Sequence, residues 1–171
     1  MTYGWMLLVV LIVGALVFSF VDFGSLLPNK VDISTQSIKG DSANSAAFGS
    51  TYLAAADQDK VYIAFTYTGG QKSTIAYTDL TLVTNLGDTC LPINVKNERL
   101  NLNSNATSVT GINYLSGHPG MITFDCPTGT LGALLSGDVI EGTVTVGVKD
   151  STRGAGARAI PNAGGFRLSI Q

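Results

Sequence analysis

The chain opens on an apolar run and then changes period. From Met6 to Val21 the residues are Met-Leu-Leu-Val-Val-Leu-Ile-Val-Gly-Ala-Leu-Val-Phe-Ser-Phe-Val, and no charged side chain occurs before Asp22. At 1.5 Å per residue, twenty helical residues cover about 30 Å, one bilayer hydrocarbon core. The run is apolar on every side rather than striped, which is the pattern of a helix enclosed all round. Gly4, Gly14 and Ala15 are small enough to let neighbouring helices approach closely. Gly14 also costs about 1 kcal/mol of helix propensity, which favours a local bend there. Proline disfavours helical geometry in the residue before it, so Pro28 makes Leu27 the expected last helical position.

Three readings of this head compete. A secretory signal peptide needs a basic leader and a small-residue cleavage site, and no Lys or Arg precedes Lys30. A single-span anchor fits the length but lacks the basic flank that sets orientation. A helix held in a membrane and later buried among copies of itself fits both the absence of charge and the all-round apolarity.

From Lys30 onward the period becomes two. Val31 to Ile33 opens a short strand, and residues 39–58, rich in Gly, Ser, Ala and Asn, read as a loop with one turn of helix. Val61 to Tyr67 is a strong strand of β-branched and aromatic residues. Ser73 to Thr84 pairs Ile75 with Tyr77 and Leu80 with Leu82, and the phase break between them predicts a bulge near Thr78. Cys90 to Leu102 contains Pro92, which places it at a sheet edge. Thr107 to Leu115, Met121 to Cys126, Val139 to Val148 and Phe166 to Ile170 complete the set. In the last two, Ile140, Val144, Val146 and Val148, and then Phe166, Leu168 and Ile170, each share a face. About seven or eight strands, with turn signals roughly every 8–15 residues and no long amphipathic helix, point to a β-sandwich. The expected division is a hydrophobic N-terminal helix, 1–27, and a surface-exposed β-sandwich head domain, 28–171.

Composition narrows the chemistry. A chain of 171 residues is one domain with an appendage. Ten Lys+Arg against twelve Asp+Glu give net −2, so a nucleic-acid groove is not expected. An apolar content of 45% argues against disorder. One His and two Cys leave little for zinc, haem or an iron–sulfur cluster, and no cofactor or metal is expected.

The remaining candidates are modest. His118, in Ser-Gly-His-Pro-Gly, reads as a solvated turn histidine. Asp57-Gln58-Asp59 lacks the glycine and distal Glu of a calcium loop and reads as a polar turn before a strand. Residues 150–165 are small and glycine-rich but lack a phosphate-loop pattern, so they read as a surface hairpin connection. Glu98 and Glu141 are the only glutamates, which leaves few choices for a paired-carboxylate site, and an enzyme is not expected. Cys90 and Cys126 form a disulfide in an oxidising compartment and stay free thiols in the cytosol; the membrane-directed head favours the disulfide. Closing that loop restricts the unfolded chain by roughly 3–4 kcal/mol. Asn105-Ala106-Thr107 is an N-glycosylation sequon if the domain lies outside the cell.

Met1-Thr2-Tyr3-Gly4-Trp5, followed by Met6 to Ala15, resembles the N-terminal segment of archaeal type IV pilin-like proteins, the class III signal peptide superfamily of pilins and archaeal flagellins. The resemblance is sharp over about the first 25 residues and architectural beyond them. It implies an α+β chain: a long N-terminal hydrophobic α-helix followed by an immunoglobulin-like antiparallel β-sandwich head domain. It implies a structural subunit, a major pilin of a type IV pilus-like surface filament with a role in cell adhesion. Its partners would be copies of itself, the membrane before assembly and the pilus assembly machinery. Tyr3, Gly4, Trp5, Leu7, Leu8, Leu11, Ile12, Gly14, Ala15, Phe18, Phe20 and Phe23 would pack the filament core. Relatives in this family carry a basic leader and often a Glu after the processing site. Neither stands in this sequence, and position 5 is Trp5, so the charge pairing of that Glu is not carried over and a processed or shortened form is expected. The alternatives are a flagellin-like filament subunit and a monomeric membrane-anchored extracellular binding domain.

Overall fold

The computed structural model describes residues 3–20, 28–49, 57–105, 111–127, 131, 134–153 and 157–171, with the backbone alone at 17–20 and 105. Helix α1 spans Tyr3–Phe20, 18 residues. Among the described residues ten strands follow: β1 Lys30–Asp32, β2 Ile38–Phe48, β3 Lys60–Tyr67, β4 Ser73–Thr84, β5 Thr89–Asn97, β6 Leu102–Asn105, β7 Ile112–Tyr114, β8 Pro119–Asp125, β9 Val139–Asp150 and β10 Ile160–Ser169.

The strands form one continuous antiparallel sheet, ordered β1-β10-β9-β4-β5-β8-β3-β2, with β6 beside β5 and β7 beside β4. The path nearly closes on itself. Ser34 bridges Lys39 in the β1–β2 connection, and Gly40 N–H donates to Ile33 O at 2.8 Å. On the same seam Ala47 bridges Ile170 in parallel, and Gln171 N–H donates to Ala47 O at 3.0 Å.

This corrects the expected fold class. The chain is mostly antiparallel β in a near-barrel, not a long helix carrying an immunoglobulin-like sandwich. The physical reason is ladder continuity. The β4–β5 hairpin carries pairing from one half to the other through Leu82↔Cys90 and Val83↔Thr89, and the last residues of the chain join the far seam. A sandwich of two separate sheets lacks those bonds. The helix is corrected too. It is described over Tyr3–Phe20, the expected end at Leu27 lies outside the described residues, and among the described residues no helix is long and apolar enough to cross a membrane.

The inward alternation read from the sequence does build the core. Val61, Ile63, Phe65 and Tyr67 of β3 are buried with Ile140, Val144, Val146 and Val148 of β9 and Phe166, Leu168 and Ile170 at the end of the chain. The β4–β9 register shifts between Ile75 and Leu80, where the phase break placed a bulge. The shift brings Asp79 over Gly147, where a side chain's Cβ would lie 2.6 Å from that of Asp79, and Lys149 closes the site with an ion pair to Asp79 at 2.7 Å.

Three local expectations fail. Residues 38–48 form a strand rather than part of a loop. Its composition hides it because the ladder to β3 skips from Asp41 to Ala46, and side chains take over the backbone's role. Ala64 N–H donates to Ser45 Oγ at 2.9 Å, and Ser45 Oγ donates to Asp41 O at 2.6 Å. Strand β10 begins at Ile160, inside the presumed 150–165 loop. Pro92 lies in an interior strand, not at an edge. A register shift between Pro92 and Asn94 removes the need for a ladder donor there.

Candidate assembly helix

The described side chains of α1 lie in solvent. Tyr3 is 83% exposed and Trp5 71%, and Leu7, Leu8, Leu11, Ile12 and Ala15 are exposed as well. A Cβ at Gly4 or Gly14 would meet nothing within 4 Å among the described residues, so these positions are open to close approach. Phe18 and Phe20 belong to the helix by backbone, and Phe23 lies outside the described residues. The helix has no acidic residue in its first turn and no basic residue in its last.

Magnitudes decide how this helix behaves in water. Eleven large apolar side chains between Tyr3 and Leu16 are exposed. Burying each fully is worth about 1.5–3 kcal/mol, or roughly 15–30 kcal/mol in all. Association costs an estimated ~4–15 kcal/mol in lost rigid-body freedom. The surplus favours cover, and a patch of this size on a soluble monomer marks an interaction surface. Because no face is polar, one partner laid along one side leaves the other sides wet. Only a surround of several helices, or lipid, covers it.

The first described residues of the β domain are fastened at Asn29. Asn29 Oδ1 accepts Ser169 N–H at 2.9 Å and Ser169 Oγ–H at 3.0 Å, and Asn29 Nδ2 donates to Ser45 O at 3.5 Å. Lys30↔Arg167 then begins the β1–β10 ladder. Beside Asn29, starting at Lys30, an open groove of about 570 Å³ crosses β1, β10, β9 and β4. Its walls carry two self-neutralising ion pairs, Lys30–Asp32 at 3.0 Å and Arg167–Glu141 at 3.4 Å.

Cys90 and Cys126 are joined as a disulfide between the start of β5 and the end of β8. Both are buried in the core. Asn105 ends β6 opposite Asn94, and Ala106 and Thr107 of its sequon lie outside the described residues. Among the described residues no group of three or more His, Cys, Asp or Glu is placed to hold a metal ion.

Two polar residues stand where sequence reasoning did not place them. His118 is buried, not solvated, with Nδ1 3.1 Å from Asn97 Nδ2. Asp59 is buried with a left-handed φ of 54°, and its backbone oxygen accepts Cys126 N–H at 2.8 Å. Burial, and then the nearby Asp125 charge, push its carboxyl above the usual range, partly offset by Lys60. Both sit in turn-like sequence, where polarity is a poor guide because closed strand ends bury their turns. By contrast, the half-buried Asp150 is held below the ordinary carboxylate range, first by the Thr152 hydroxyl at 2.6 Å and then by the Thr152 N–H at 2.9 Å.

No protein-family model matches the chain, and no curated protein or solved structure matches it either, so a function has to be read from the helix and the domain themselves.

Proposed function

We propose that the chain is a structural subunit, a major pilin, of an archaeal type IV pilus-like surface filament with a role in adhesion. The observation that carries this reading is α1: 18 residues, apolar on every side, with its described side chains exposed beside a domain that has its own closed core. In a filament, copies of α1 surround one another and the β domains form the outer sheath. Repeated contacts that do not close into a ring extend without limit. The disulfide supports an oxidising, extracellular setting. Before assembly the helix needs other apolar cover, which a membrane supplies, and transfer from lipid to filament falls to assembly machinery.

The test is negative-stain electron microscopy of sheared cell-surface material with mass spectrometry of its main band. Thin filaments whose dominant protein is this chain are the expected result. Recovery of the chain only as monomers in the membrane fraction overturns the filament reading and favours an anchored binding domain.

A further inference from the structure

Ion pairs within the β domain engage Lys30, Lys60, Lys96, Lys149, Arg153 and Arg167. Of the ten basic residues this leaves Lys39, Lys72, Arg99 and Arg158, all exposed and without an ion pair among the described residues. These four gather at one end of the domain. Lys39 pairs with Thr66 in the β2–β3 ladder, Lys72 precedes β4, Arg99 lies in the β5–β6 turn and Arg158 precedes β10. The ladders bring those points together. Thr66 pairs with Pro119, whose carbonyl accepts Glu98 N–H at 3.2 Å, Tyr67 Oη lies 2.8 Å from Ser73 Oγ, and Ser73 pairs with Asp150.

The carboxylates left over stand at the other end. Asp57 precedes β3, Asp88 lies in the β4–β5 turn and Asp138 precedes β9, all half-buried and without an ion pair among the described residues. Asp59 is buried beside Asp57, and Asp41 lies midway along β2. The Cys90–Cys126 disulfide, the Leu82↔Cys90 pair and the bond from Ile170 N–H to Asp138 O at 2.7 Å hold this end together. Asp22 is the only charged side chain outside the described residues, so the division is a property of the domain.

Exposed large apolar side chains follow the same division. Outside α1, Leu100, Leu102, Leu115 and Ile160 lie at the basic end, and Val83, Leu86, Leu91 and Leu135 at the acidic end. Among the described residues the domain exposes no other large apolar side chain. Each end thus combines apolar side chains with charges of one sign, the make-up of a contact patch with a polar rim.

We propose that the β domains of neighbouring copies dock end to end, the end carrying Lys72 and Arg158 of one seated on the end carrying Asp57, Asp88 and Asp138 of the next. The inference rests on the filament reading and adds a contact between domains to the contact between helices. β4 runs twelve residues, Ser73–Thr84, from the Lys72 end to the Asp88 end. At about 3.3 Å per residue the two ends stand ~30 Å or more apart, so one copy does not bring them together. Except for Lys39, the basic residues sit in connections between strands, as do the three aspartates, so they face along the strands rather than sideways. Like charges directly opposed repel, so neither end pairs with its own kind. The contact is therefore heterologous, and its repetition extends an open chain. Salt screens exposed charges beyond about 8 Å, so these act at contact, setting polarity and register while the leucines are buried.

The test is carbodiimide cross-linking of wild-type filaments, which joins a lysine amine directly to a carboxylate it touches, with mass spectrometry of the linked peptides. Links from Lys39 or Lys72 to Asp57, Asp88 or Asp138, in a ladder of products beyond the dimer, are the expected result. Within one copy those residues are too far apart to be joined. Filaments that yield no such link overturn the docking and leave the helix core standing. Products that stop at the dimer overturn it too, since they mark a closed pair. Surface material without filaments of this chain overturns the filament reading itself. As a second test, Lys72→Glu combined with Arg158→Glu should cut filament number about tenfold or more with β-domain melting unchanged, and adding Asp88→Lys should recover part of the loss. Filaments of the reversed variant in wild-type number overturn the docking.

Discussion

The Asn29 carboxamide oxygen accepts both the backbone N–H and the hydroxyl of Ser169, at 2.9 and 3.0 Å, across 140 positions of sequence. That contact fastens the start of the β domain to its last strand, β10, which in turn pairs along its length with β9.

Asn29→Ala should therefore destabilise the β domain by about 1–2 kcal/mol, because it leaves the Ser169 N–H without its partner. Asn29→Asp keeps the accepting oxygen and should cost less. Equilibrium denaturation of the two variants against wild type checks the order, and equal losses would contradict it.

The disulfide closes a loop of 36 positions between neighbouring strands. Reducing it, or replacing both cysteines with serine, should cost roughly 3–4 kcal/mol. Thermal melts with and without reductant measure this, and an unchanged midpoint would show that the closed sheet is self-sufficient.

Asp59→Asn should stabilise the domain at neutral pH. The folded-state carboxyl lies above its ordinary value of 3.8, so its ionisation is penalised in the fold. The penalty is absent below the unfolded value and grows as pH rises through the folded one. Asn also tolerates the left-handed backbone at this position. Melting curves should separate at neutral pH, with the variant higher, and converge in acid. A wild type more stable at neutral pH would refute the assignment.

Gly142 sits in a crowded stretch of β9, where an added Cβ would fall 2.2 Å from Val83 O and 2.7 Å from the Phe166 ring. Gly142→Ala should cost at least about 1–3 kcal/mol through overpacking. Gly70→Ala, where a Cβ meets nothing within 4 Å, should be close to neutral. Matched denaturation curves test the contrast.

These sites show what the sequence could reveal. The alternation in β3, β9 and β10 and the phase break in β4 are direct consequences of one face being buried, so they were legible. β2 was not, because Ser45 supplies a bond that its backbone would otherwise make, and small polar residues carry no period. Closure of the sheet was not legible either. It depends on Ala47 meeting Ile170, a contact across 123 positions that no local pattern encodes. The apolar run from Met6 to Val21 was plain, and the described helix, Tyr3–Phe20, falls largely on it. The Asn97–His118 contact was hidden, since both residues sit beside turn sequences that usually face water.

The central claim is that α1 packs among copies of itself. The most direct measurement compares filaments from cells expressing the wild-type chain with those expressing Ile12→Lys, counted by electron microscopy, with β-domain melting as the control. Ile12 is exposed in the isolated chain, and a buried ammonium in the core of a helix bundle is costly. Filaments of wild type, none of the variant and equal melting are the expected result. Filaments built equally well by Ile12→Lys would contradict a core made of this helix.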